Sequence, residues 1–147
     1  MKFEGSYDIG ANRKKVWEFI IDPNKVGQCL PDLKALEVQA EDRFIAIIHV
    51  GIGLVKADLN CQLRIVEKTA PSHARLKGSG SGSGSSVDLD SLIDLTETAT
   101  GTRINYRTNV NVGGVLVGLG QRMMENATAK MVDEVFRCVK AKLEAPS

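Results

Sequence analysis

Val55, Ala57, Leu59, Cys61, Leu63 and Ile65 alternate with Lys56, Asp58, Asn60, Gln62 and Arg64. This period of two predicts a strand with one face on a core and the other in water. The same period runs through residues 2–9, where Met1, Phe3, Tyr7 and Ile9 oppose Lys2, Glu4, Ser6 and Asp8. Phe44, Ala46, Ile48 and Val50 form one face of a further strand. Residues 102–112 set Ile104, Tyr106, Val110 and Val112 opposite Arg103, Asn105, Arg107, Asn109 and Asn111. After the first strand, Asn12 is placed to cap a helix carrying Val16, Trp17, Ile20 and Ile21. Asp22-Pro23 breaks that helix, and residues 24–29 suit one short turn before Pro31. Turns are expected at Gly51–Gly53 and at residues 69–72. A long helix is predicted over residues 115–143. Its stripe is Leu116, Leu119, Met123, Ala127, Met131, Val135, Val139 and Leu143.

Residues 78–86 are almost pure Gly-Ser, the composition of a flexible linker. Strand patterns continue on both sides, at 74–76 and 87–95, and either half alone would make a marginal core. The segment is therefore read as a Gly-rich strand, in which another group approaches the backbone closely. The whole chain, 1–147, is expected to be one domain of the α+β class. A curved antiparallel sheet of six or seven strands wraps around the C-terminal helix, with two short helices after the first strand. Inward residues that are small leave a cavity between sheet and helix.

Composition narrows the function without naming it. Lys+Arg 19 against Asp+Glu 18 gives a net charge of +1, which argues against a nucleic-acid partner. No apolar run is long enough to span a bilayer, and the N-terminus lacks the apolar stretch of a signal peptide. The chain is read as cytoplasmic. Its three cysteines, Cys29, Cys61 and Cys138, are odd in number and far apart. They are expected to be reduced, with no disulfide and no metal site. Phosphate-binding and hydrolase motifs are absent from the sequence, and no catalytic residue or cofactor is assigned.

The order of elements resembles the helix-grip proteins that include the birch-pollen allergen and the lipid-transfer START domains. Within that group the chain is similar to the CoxG family of carbon monoxide dehydrogenase proteins. KFEGSYDI matches the family's first strand, and VWEFIIDPNKVGQCLP, residues 16–31, its short helices and Cys-hydrophobic-Pro corner. The family often has Gly after that Pro, where this chain has Asp32. VGGVLVGLGQRMMENATAKMVDEVF, residues 112–136, is the most specific match.

The resemblance implies an apolar ligand, a lipid or an isoprenoid quinone, and a molybdenum-containing CO dehydrogenase or related hydroxylase as partner. It also implies a role in maturation or membrane recruitment, with peripheral contact at the inner face of the membrane. Longer relatives carry a C-terminal extension thought to engage the membrane, and this chain stops at Ser147. The expected ligand-binding residues are Leu59, Cys61, Leu63, Tyr106, Leu119, Met123, Ala127 and Met131. The alternative is an enzyme of the same fold, a cyclase, dehydratase or hydrolase acting on a polyketide- or steroid-like substrate. That would need titratable groups converging in the cavity. A chaperone-like protein without a defined ligand is a third reading. Ile45 and Ile47 alternate with the inward residues of their strand, and are expected to form an outward patch for a homodimer or a partner dehydrogenase.

Overall fold

The computed structural model describes residues 1–145. The predicted position of Pro146 beyond the last helix lies outside the described residues. The elements run β1 (Lys2–Ile9), α1 (Arg13–Ile20), α2 (Pro23–Val26), a 3-10 turn (Gly27–Cys29), β2 (Leu33–Ala40), β3 (Arg43–Ile52), β4 (Val55–Thr69), β5 (His73–Gly82), β6 (Ser85–Thr98), β7 (Gly101–Gly114), a second 3-10 turn (Val115–Leu119) and α3 (Gln121–Glu144). Seven antiparallel strands form one open sheet in the order β1-β7-β6-β5-β4-β3-β2. Consecutive strands from β2 to β7 are neighbours, and β1 closes onto β7 after the helical excursion. The predicted helix-grip architecture is therefore the observed one.

Local chemistry explains the early elements. The Asn12 side chain accepts from Lys15 N at 2.8 Å, and the Asp22 side chain accepts from Asn24 N at 2.9 Å. Each satisfies an amide that the first helical turn leaves without a partner. Asp32, in the corner where the family often has glycine, has φ 52. Aspartate tolerates this left-handed conformation better than most residues, so the corner keeps its turn without glycine. The Asp32 carbonyl accepts from His49 N at 3.0 Å, which joins the corner to β3.

The Gly-Ser segment is neither a linker nor a single strand. It is the end of β5, a two-residue turn and the start of β6, with Gly82 opposite Ser85. Ser83 and Gly84 have φ 53 and 75. Two consecutive positive φ values match the twist of the flanking strands in a tight hairpin.

Two further expectations are corrected. The C-terminal helix does not run unbroken from residue 115. Gly120, at φ 84 and ψ 154, separates the short 3-10 turn from α3, because this backbone conformation cannot propagate a helix. The cysteines are not all reduced: Cys29 and Cys138 form a disulfide, with Cα atoms 5.4 Å apart across a sequence separation of 109. The turn after α2 packs beneath α3, and that approach leaves no mark on cysteine spacing. Cys61 is free.

The core has two parts. Ile9, Val16, Trp17, Leu95, Ile104, Val139 and Leu143 bring α1 and the C-terminal end of α3 onto β1, β6 and β7. Ala46, Ile48, Val50, Leu59, Leu116 and Met124 join β3 and β4 to the other end of α3.

Candidate functional site

Between the two core clusters lies a cavity of about 350 Å³. That volume is within the range of small-molecule pockets. One wall is the inward face of β3 to β7, where Leu59, Leu63, Leu89 and Val110 are typical. The opposite wall is α3, through Met124, Met131, Val135 and Val139. The end near the α2 corner is built by Ile21, Val26, Leu30 and Pro31. The disulfide joins this corner to α3, so two walls are covalently linked.

Glycine makes the space on β5. A Cβ on Gly78 would come 2.5 Å from Leu63 Cδ2, and one on Gly80 would come 2.7 Å from Cys61 Sγ. Without those Cβ atoms, the β4 side chains reach over the β5 backbone and no side chain of β5 fills the middle of the cavity.

Of the residues expected from the sequence to bind ligand, Leu59, Cys61, Leu63, Tyr106 and Met131 line the cavity. Leu119, Met123 and Ala127 do not. Leu119 and Ala127 pack against the second core cluster, while Met123 is 44% exposed. The break at Gly120 sets the phase of α3 independently of the preceding turn. The inward series becomes Met124, Thr128, Met131, Val132, Val135 and Val139. The stripe expected from the sequence runs through the break as though one helix continued, and so takes Met123 in place of Met124.

Polar chemistry in the cavity is sparse. Ser91 and Thr108 interrupt the apolar inward rows of β6 and β7, and Thr128 faces in from α3. Sequence reasoning passes over all three, although Thr108 belongs to the same alternate positions as Ile104, Tyr106 and Val110. Burial pushes the Cys61 thiol up, which works against a thiolate nucleophile. Tyr106 stacks on Phe136 with ring centroids 5.1 Å apart, and Phe136 stacks on Tyr7 at 4.5 Å. Tyr7 donates to Asp133 Oδ1 at 3.2 Å. Burial, first, and that hydrogen bond push its hydroxyl up to about 12, so it stays protonated at neutral pH.

The remaining notable side chains stand away from the cavity. His73 bonds Glu67 and Asp94, and His49 bonds Asp58, all on the outer surface of the sheet. Among the described residues no three His, Cys, Asp or Glu side chains gather as a metal site, and no helix is long and apolar enough to cross a membrane. Ile45 and Ile47 are half-buried, with Glu37 and Gln62 beside Ile45 and Ala35 and Asn60 beside Ile47.

An open antiparallel sheet folded against one long helix, with a ligand-sized apolar space between them, defines a helix-grip protein of the START-like class. Solved structures of the same fold include a conserved protein from Geobacillus kaustophilus, with TM-score 0.90 and 26% identity over 97% of this chain and 95% of that one. A START superfamily protein from Mycobacterium smegmatis aligns with TM-score 0.72 and 9% identity over 97% of each chain. The di-domain ARO/CYC protein BexL aligns with TM-score 0.67 and 13% identity, covering 100% of this chain and 51% of that one. No curated protein matches the chain. The family model for the carbon monoxide dehydrogenase protein CoxG matches residues 5–144, and the chain belongs to that family.

Proposed function

We propose that this protein is a non-enzymatic carrier that holds an elongated apolar molecule, a lipid or an isoprenoid quinone, between sheet and helix. In that state it would assist a CO dehydrogenase-type molybdenum hydroxylase in maturation or membrane recruitment. The observation that carries the reading is the cavity, whose walls are apolar on both the sheet and the helix side. Apolar ligand surface buried there contributes about 25 cal/mol per Å², enough to hold such a molecule with few polar contacts. Family membership supports the partner class. Any peripheral membrane contact belongs to the inner face in this reading, with the protein in the cytoplasm. The outward Ile45 and Ile47 are the surface proposed for the partner dehydrogenase or a second copy.

The fold also serves an ARO/CYC protein. Acid–base catalysis requires titratable groups poised around the reacting atoms, and this cavity presents one tyrosine and one buried thiol. A carrier fits that inventory better than a cyclase.

The test is native mass spectrometry of freshly purified, detergent-free protein, followed by solvent extraction and titration with a short-chain isoprenoid quinone. A retained lipid or quinone mass, or saturable binding of the added quinone, is expected. Protein that retains nothing and binds nothing would overturn the carrier reading.

A further inference from the structure

Ser91 and Thr108 face each other across β6 and β7 in register. Their hydroxyl oxygens are 2.8 Å apart, and Ser91 is 8% exposed. Both stand on the inward side, in rows otherwise filled by Val87, Leu89, Ile93, Tyr106 and Val110, and both line the cavity. Valine or alanine would suit such a wall better. Burying a hydroxyl that lacks full hydrogen bonding works against folding by about 1–3 kcal/mol. The pair satisfies itself only in part. Two hydroxyls carry two protons, and their mutual bond uses one. The second proton remains to be donated.

The rest of the cavity restricts what can accept it. Arg75 and Ser79 also border the space, but they occupy the outward alternate positions of β5. The Arg75 guanidinium is turned away, bonding Asp90 at 2.7 Å and Glu67 at 3.3 Å. No charged group on the wall is thereby available to pair with a charged ligand, and an unpaired ion buried there would be strongly disfavoured.

We propose that the Ser91–Thr108 hydroxyl pair is a recognition site for a neutral oxygen acceptor, a carbonyl, carried on an otherwise apolar ligand. The inference rests on the carrier reading. It adds where the polar atom of the ligand sits and which head groups are admitted: ketone-like or quinone-like oxygens, and not carboxylates or phosphates. Thr128, on the facing wall, lies across the same space.

The probes are decanophenone and decylbenzene, which differ only by a carbonyl in place of a methylene. Wild type, Ser91→Ala/Thr108→Val and Thr108→Ser are compared by displacement of a fluorescent apolar dye, with folding checked by circular dichroism. The double variant should bind decanophenone about 5- to 10-fold more weakly, the size of one neutral hydrogen bond. Its affinity for decylbenzene should be unchanged or higher, and Thr108→Ser should stay near wild type. Equal shifts for both probes, or no shift for either, overturn the site and leave the carrier reading intact. If wild type binds neither probe, the carrier reading fails and the site fails with it. A measurement independent of any variant is the infrared band of ¹³C-carbonyl decanophenone bound to wild type. It should lie at lower frequency than in hexane, and an unshifted band overturns the proposal.

Discussion

Asp32 holds a left-handed backbone conformation at the corner that borders the cavity. A Cβ in this region is disfavoured by roughly 1–2 kcal/mol, part of which the short polar side chain of aspartate recovers. Asp32→Gly should therefore raise stability by about 0.5–1 kcal/mol, after allowing for the greater freedom of glycine in the unfolded chain. Urea denaturation checks this, and a lower midpoint would show that the carboxylate contributes more than the backbone. Other single residues are hard to place from the sequence for physical reasons. Cys29 and Cys138 meet because two elements pack together, and pairing across 109 positions has no periodic signature. Ser91 and Thr108 are visible as polar breaks in apolar rows. Their importance depends on being neighbours across two strands, which register alone decides.

At the scale of elements, period two locates the strands well, since one side of each inner strand must meet the core. The helical stripe is legible in composition but not in phase. Gly120 resets the phase, and glycine spacing does not say which glycine adopts a helix-breaking conformation. The disulfide acts at this scale too, tying the turn after α2 to α3. Closing so long a loop restricts the unfolded chain, and such bonds typically contribute about 2–4 kcal/mol. Cys138→Ser should lower stability by that order in non-reducing buffer. Dithiothreitol should lower the urea midpoint of wild type and leave that of the variant unchanged. A wild-type midpoint insensitive to the reductant would refute the bond.

For the whole molecule, architecture is readable because the order of elements admits few packings, whereas the lining of the cavity depends on helix rotation. Adjacent methionines test that rotation. Met124 is 5% exposed and lines the cavity, while Met123 is 44% exposed. Met124→Glu would bring a carboxylate into an apolar space and should weaken apolar-ligand binding at least 10-fold, or unfold the chain. Met123→Glu should leave both ligand affinity and melting temperature near wild type. Equal effects at the two positions would contradict this rotation. An open sheet also has two borders, and each is guarded differently. On β2, register shifts at Leu33/Ala35 and Val38/Ala40 interrupt the hydrogen-bonding ladder, and Lys34, Glu37 and Gln39 are exposed along it. On β1, Lys140 Nζ donates to the Asp8 carbonyl at 3.1 Å, and Glu144 takes the Gly10 amide just beyond the strand. Such devices deter a neighbouring chain from continuing the ladder. Recruitment of this protein into fibrils or strand-swapped aggregates is thereby disfavoured, and any physiological pairing is left to the faces of the sheet.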